Sequence, residues 1–246
     1  MKKSAYTTLA ATVLLTGMAF GASSVLADDA TDGAKMHSKG TITYVRDESP
    51  TNPVDPTDPN TDNPVTPTDP DDHEKPTNGP LSIDYVSNLY FGEQKTTGSE
   101  MTYFADLDHM KDSTGKDIDR PNFVQVTDKR GSNAGWNLTV TQDSQFKNGD
   151  NELAGATLKL ANATLSTAND GTAPSAAPST VELTVGTAVP VMSAKANEGT
   201  GTWIDRFGKD EEEGKTSVSL TVPGDTKKVQ GEYATSLTWT LTDTPA

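Results

Sequence analysis

The stretch GWNLTVTQD, residues 135–143, alternates large apolar side chains with polar ones. In a β-strand, residues two positions apart lie on the same face. Trp136 and Leu138 therefore share one face with Val140, and Asn137 points to the opposite face. This alternation predicts a strand with one buried and one solvated face, which is typical of antiparallel sheets.

The same pattern, W-x-L-T-x-T, returns in SLTWTLTDTPA, residues 236–246. Trp239 and Leu241 share one face of this second predicted strand, and Thr240 points the other way. Two interpretations of the tryptophans stay open. The alternation favours core residues that hold a half-buried strand in place. The alternative is that they are exposed aromatic platforms on which sugar rings stack.

Similar short runs, rich in Val and Thr, recur between Gly, Asn and Pro turns, and no window shows a helical stripe. The clearest are LSIDYV (81–86), FVQVTD (123–128), ATLKL (156–160), VELTV (181–185) and SVSLTVPG (217–224). Many short antiparallel strands of this kind predict an all-β fold, a β-sandwich over residues 80–246.

The N-terminus has the three parts of a secretory signal, and we predict a signal peptide over residues 1–27. Lys2 and Lys3 precede an apolar run, and cleavage is expected after Ala27. The apolar run is too short to span a bilayer, so no membrane insertion is expected after cleavage. The chain has no cysteine, so a secreted form relies on burial and not on disulfides.

Two segments precede the predicted sandwich. Residues 28–49 contain GTITYVRD, which predicts one short strand at about 41–46, and we expect this strand to dock on the main domain. Residues 50–79 are rich in Pro, Asp and Thr and have almost no apolar side chains. They are predicted to form a disordered, extended spacer.

The chain is acidic, with a formal net charge of −15, and loss of Lys2 and Lys3 with the signal peptide leaves −17. Nucleic acid is excluded as a partner, because phosphate binding needs clustered Lys and Arg. Anionic membrane surfaces are disfavoured for the same reason.

The sequence also lacks the patterns of an enzyme. It contains three histidines and neither a G-x-S-x-G nor an H-E-x-x-H motif. The acidic run DEEEG, residues 210–214, is typical of a solvated loop. We therefore expect no catalytic residues, no metal site and no cofactor.

Trp203 is the one tryptophan outside the two motifs. It lies in GTWIDRFG, residues 201–208, among Gly, Thr and charged residues. Because this stretch shows no clean alternation, we expect a loop, which makes Trp203 the best candidate for an exposed ring and a tentative ligand contact.

Over Gly79–Pro245 the sequence resembles the WxL family of cell-surface proteins from low-GC Gram-positive bacteria. The resemblance rests on GPLSIDYVSNLYFGEQ, PNFVQVTDKRGSNAGWNLTV, VMSAKANEGTGTWIDRFG, SVSLTVPG and YATSLTWTLTDTP. It implies a protein of the cell wall that is held non-covalently, with peptidoglycan as the ligand. Ligand contact would involve the two motifs, which are Trp136, Asn137, Leu138, Trp239, Thr240 and Leu241.

The resemblance also implies that other cell-surface proteins can be partners. The sequence ends without a hydrophobic tail and basic cluster, so we expect a folded domain to act as the anchor. The alternative function is an extracellular adhesin, or a subunit of a surface complex, that binds host-matrix or bacterial proteins.

Overall fold

The computed structural model describes residues 35–175 and 177–244. The chain divides into two compact units, one that ends at Thr43 and one that begins at Tyr44. The described residues of the first unit carry no helix or strand. The predicted signal peptide, residues 1–27, lies outside the described residues.

The second unit consists mainly of short β-strands. In chain order they are β1 (Thr66–Pro67), β2 (Leu81–Val86), β3 (Met101–Phe104), β4 (Asp108–Lys111), β5 (Asp117–Arg120), β6 (Phe123–Asp128), β7 (Trp136–Gln142), β8 (Lys147–Asn148), β9 (Asn151–Glu152), β10 (Thr157–Ala161), β11 (Ala163–Thr167), β12 (Thr180–Glu182), β13 (Val189–Ala194), β14 (Gly201–Phe207), β15 (Val218–Val222) and β16 (Leu237–Thr242).

Helical structure in the described residues is limited to a 3-10 turn at Pro70–Asp72 and a single α-turn, α1, at Glu211–Gly214. Neither is long and apolar enough to cross a bilayer. The acidic run predicted as a solvated loop thus contains a short helix. Its start is capped by Asp210, whose carboxylate accepts a hydrogen bond from the Glu213 backbone N–H at 2.9 Å.

Three antiparallel sheets make up the body of the second unit, with strand orders β12-β10-β15-β3, β11-β14-β6-β2 and β13-β7-β16. Each sheet turns one apolar face to a common core. Leu160, Val126 and Leu138, one from each sheet, are 0–1% exposed and belong to a single hydrophobic cluster. Burial of these faces excludes water from the interior. The predicted all-β sandwich of short antiparallel strands is confirmed.

A second, smaller core lies on the opposite face of the β11-β14-β6-β2 sheet. There Phe123 and Ile204 pack with Met110 of β4 and with two valines of the Pro-rich segment, Val54 and Val65. The two valines are each 2% exposed. The segment reaches this position through an isolated bridge between Val54 and Pro64 and through β1, which pairs with β4.

Polar contacts fix the Pro-rich segment to the sheet. Arg120 binds Asp55 through two hydrogen bonds, Nε to Oδ1 at 2.7 Å and Nη2 to Oδ2 at 2.6 Å, and both side chains are less than one-fifth exposed. The buried amide of Gln125 accepts from the Val54 backbone N–H at 2.9 Å and donates to the Asn52 carbonyl at 3.0 Å. A bidentate Arg–carboxylate pair is among the stronger polar contacts in proteins.

The structure therefore differs from the sequence prediction for residues 50–79. The segment has little regular secondary structure, but the part around Val54 and Val65 folds back on itself and is packed against the domain. The prediction treated the segment as having almost nothing to bury. Burial of two valines is sufficient to pack the segment, because the sheet face that it covers, although mainly polar, also carries apolar side chains that the valines contact.

The predicted strand at about 41–46 is absent. Residues 41–46 form no strand, and Tyr44 and Val45 are 86% and 85% exposed. A short strand is stable only when a neighbouring strand pairs with its backbone N–H and C=O groups. The alternation of side chains within residues 41–46 does not provide such a neighbour. Within the second unit, Lys129 contacts Asp47 at 3.1 Å and the Ser49 carbonyl at 2.6 Å, so the packed chain begins just after the expected strand.

We predict that Val54→Lys releases the Pro-rich segment, because it places an ammonium group in the second core, at a cost of at least about 2 kcal/mol. Limited digestion with a protease that cuts before aspartate should then cleave at Asp55 and Asp58 at enzyme concentrations that leave the wild type intact. Val45→Lys is the matched control, since Val45 is already exposed, and it should digest like the wild type. Equal cleavage of all three proteins would contradict the packed arrangement.

Candidate functional site

The two W-x-L segments lie next to each other in one sheet. β7 carries the first and β16 the second, and the two strands pair in antiparallel register. Leu138 lies opposite Leu241, and Trp239 lies opposite Val140. The sequence predicts two separate strands at the motifs and does not indicate that they pair. The shared W-x-L-T-x-T pattern is the only sequence signal that links them.

The first tryptophan is a core residue. Trp136 is 0% exposed, and its indole N–H donates to the Gly199 carbonyl at 3.0 Å. Gly199 has φ of +70°, and a Cβ at that position would lie 2.6 Å from the indole nitrogen. Glycine is therefore required there both by backbone conformation and by the close approach of the ring. The core interpretation is confirmed for Trp136, and Leu138 is equally buried.

The second motif is less deeply buried because β16 is the last strand of its sheet. Leu237, Trp239 and Leu241 are half-buried and pack against the main core, and the residues between them are exposed. An edge strand has a neighbour on one side only, so part of each inward side chain stays accessible. Trp239 is thus neither a fully exposed platform nor a fully buried residue.

The prediction of an exposed ring at Trp203 is wrong. Trp203 lies in β14, is 3% exposed, and donates its indole N–H to the Thr200 carbonyl at 3.1 Å. It sits opposite Val126 on the core face of the sheet. The alternation was hidden because both faces of this sheet are covered, so the polar positions of β14, including Thr202 and Asp205, are buried as well.

The outward positions of β7 and β16 form one continuous polar surface, which we call the threonine face. It consists of Asn137, Thr139, Thr141, Thr238, Thr240 and Thr242. The three residues of β7 are half-buried and the three of β16 are exposed. The middle residues of the two motifs, Asn137 and Thr240, both belong to this face, whereas the Trp and Leu residues belong to the inner one.

The threonine face carries no charged side chain of its own. At one end lies Asp143, whose Oδ2 accepts hydrogen bonds from Ser236 at 2.7 Å and from Thr238 at 3.0 Å. On the side of β13, Ser193 donates to the Asn137 side-chain oxygen. Most hydroxyls of the face therefore stay next to solvent, in a protein whose formal charge is −15.

The titratable groups with the largest perturbation lie elsewhere. Asp205 is 0% exposed, and neither of its carboxylate oxygens has a well-formed hydrogen bond. Burial raises the pKa of Asp205 to about 7, and the Thr164 backbone amide and the Arg206 guanidinium offset only part of this rise. The side chain points to the main core, between Val124 and Leu165 of the neighbouring strands. It has no access to a ligand.

The described residues contain no group of three or more His, Cys, Asp or Glu that could hold a metal ion. His109 pairs with Asp119 at 2.6 Å across β4 and β5, and both side chains are more than half exposed. The other buried carboxylates, Asp84, Asp108 and Asp128, accept hydrogen bonds from neighbouring side chains and serve the fold.

An all-β domain with two W-x-L strands paired in one sheet is the class of protein that these contacts define. Residues 31–245 match the family described as WxL domain, surface cell wall-binding, and the chain belongs to this family. The match confirms the resemblance and extends it over the Pro-rich segment. Comparisons with curated proteins and with solved structures find no match.

We predict unequal losses of stability at the two motif tryptophans. Trp136→Ala removes a fully buried ring and should lower the free energy of unfolding by about 3–5 kcal/mol, whereas Trp239→Ala should cost about 1–2 kcal/mol because that ring is half-buried. Urea unfolding followed by circular dichroism measures both. Thr240→Ala, on the exposed face between them, is the control and should cost little. Equal losses at Trp136 and Trp239 would contradict the described burial.

We also predict that Asp205 makes the domain less stable as the pH rises. Its folded-state pKa of about 7 lies above the ordinary value of 3.8, so the folded state holds the proton more tightly. The contribution of Asp205 to the free energy of unfolding is therefore highest below about pH 4 and falls until about pH 7. Asp205→Asn should raise the melting temperature at pH 8 and make the decline between pH 4 and 7 shallower.

The comparison for this test is Asp128→Asn. Asp128 is also buried, but it forms a bidentate pair with Arg130, at 3.0 and 2.8 Å. Neutralising it leaves the guanidinium without its partner, so this variant should melt at a lower temperature than the wild type at pH 8. A destabilised Asp205→Asn protein at pH 8 would show that the carboxylate has a stabilising partner.

Proposed function

We propose that the chain is exported, is cleaved after Ala27, and attaches non-covalently to the peptidoglycan of a Gram-positive wall. The observation that carries the proposal is the meeting of both W-x-L segments in one sheet, in a chain that belongs to a surface cell wall-binding family. Two strands about a hundred residues apart in sequence would not need the same pattern if their only role were to fill the core. A common role in binding, on the surface that they share, accounts for the repeated pattern.

The motif residues have different roles in this proposal. Trp136, Leu138 and Leu241 anchor the sheet by packing into the core, and they do not contact the wall. Asn137 and Thr240, on the outer face, reach the ligand. Support for this division comes from burial, since a ring that is 0% exposed cannot stack on a sugar without unfolding its surroundings.

The two other tryptophan positions also have assigned roles in the proposal. Trp239 offers only its accessible edge to a ligand, since β16 ends the sheet. Trp203 is a core residue with an indole hydrogen bond, and its role is structural. Attachment is thus a binding function with no catalytic step, and it leaves the remaining surface free to hold other cell-surface proteins.

Sedimentation with purified sacculi tests the proposal. The protein without residues 1–27 is mixed with peptidoglycan sacculi that have been stripped of teichoic acid and protein, and the pellet is analysed after washing. We expect the protein in the pellet, and absent from a pellet spun without sacculi. If it stays in the supernatant and binds instead to whole cells or matrix proteins, the adhesin alternative replaces wall attachment.

A further inference from the structure

The threonine face is an uncharged patch on a strongly acidic protein. Between Asn137 and Thr141 on β7, and between Thr238 and Thr242 on β16, every outward side chain is an amide or a hydroxyl. The formal charge of the whole chain is −15. Away from Asp143 at its one end, this neutral patch is a place where a partner can approach an otherwise acidic protein without meeting a carboxylate.

Apart from that of Thr238, which donates to Asp143, the hydroxyls of this face are available to a ligand. Thr141 and Thr240 make no side-chain hydrogen bond within the described part of the chain. Thr139 reaches the Thr240 carbonyl only at 3.5 Å, and Thr242 reaches the Asn137 carbonyl at 3.4 Å. Both distances are long for O–H···O contacts. These groups can therefore exchange water for ligand hydroxyls at little cost.

The geometry suits a flat polyol. Residues two apart on a strand are separated by about 7 Å and neighbouring strands by about 4.8 Å, so the face presents a regular grid. Each threonine offers a methyl group beside its hydroxyl. A pyranose ring likewise has C–H faces and hydroxyl edges, and it can bury the former while its hydroxyls hydrogen-bond.

Charge decides between the components of a peptidoglycan wall. Stem peptides and teichoic acids carry carboxylates and phosphates, which an acidic protein repels at long range. The sugar backbone carries no charge once its lactyl groups are joined to peptide. We propose that the threonine face binds the glycan strands of peptidoglycan, through uncharged hydroxyl and C–H contacts. This inference rests on the proposed function.

The test uses two matched pairs of substitutions in the protein without residues 1–27. Thr139→Val with Thr240→Val removes two facing hydroxyls and keeps the side-chain shape and strand propensity. Thr102→Val with Thr221→Val does the same to a facing pair on β3 and β15, whose hydroxyls lie 2.9 Å apart on another sheet. We expect the first pair to bind sacculi about ten-fold more weakly. The second pair should bind like the wild type, and circular dichroism should show both variants folded.

The source of the ligand is resolved with soluble probes. Peptide-free glycan strands, released from sacculi by an amidase and then converted to amides at the lactyl carboxylates that the enzyme exposes, should compete for binding, and free stem peptides should not. Thr240→Lys adds a second check, because a lysine strengthens attachment to an anionic polymer and weakens attachment to an uncharged one. We expect weaker binding, and no loss of wild-type binding at high salt.

The outcomes separate the two proposals. If sacculi bind the wild type and both valine pairs equally, or if stem peptides compete or Thr240→Lys binds better, the glycan inference is overturned and wall attachment stands. If the wild type binds neither sacculi nor soluble glycan strands, both proposals fail. Loss of binding confined to the Thr139 and Thr240 variants, with competition by glycan strands, supports both.

Discussion

The pairing of β7 with β16 is the constraint on which the candidate site depends. Because side chains alternate along a strand, the register that places Leu138 opposite Leu241 also places Thr139 opposite Thr240 on the other side. A shift of one residue would turn every threonine inward and every apolar side chain outward. Burial of Trp136 and its neighbours therefore fixes the outer surface as firmly as it fixes the core, although none of these residues needs to touch a ligand.

A second constraint acts on the neighbouring sheet, β11-β14-β6-β2, which is covered on both faces. One face joins the main core and the other lies under the Pro-rich segment. Covering the second face brings polar groups such as Gln125 and Thr127 out of water, and hydrogen bonds with Asp84 and the segment's backbone satisfy them. Asp205 faces the main core and lacks such partners. The sheet is thus held by the segment that composition alone marks as a spacer.

The strands that were predictable from sequence are those in which β-branched or apolar residues recur at every second position, and most of these have one face in solvent. β7, β10, β15 and β16 show the alternation because water selects polar residues on the outer side. β14 was missed because both of its covered faces carry polar or charged residues, such as Thr202 on one and Asp205 on the other, which hide the alternation. β4 and β5 were missed because each contributes a single apolar side chain, Met110 or Ile118, to the small second core, and their other residues are mainly charged. Strands were therefore readable where the apolar pattern is regular, which includes β2 and β6 of the sheet that is covered on both faces.

Pairing was a different problem. Any two alternating strands can pair in an antiparallel sheet, and sequence separation gives no register, so the pairing of the two W-x-L segments could be seen only in the structure.

The composition of the candidate face was nevertheless visible in the sequence, in the residues between and after the motif letters. The motif is named for its inward residues, which are the ones that a binding surface can least expose. In this chain Asn137 and Thr240 take the outward positions. Each strand that buries its Trp and Leu side chains therefore exposes its remaining side chains to solvent or to a ligand. An acidic protein that approaches an acidic wall gains nothing from attraction at long range, and its contact has to form at a surface that repels neither sugar nor water.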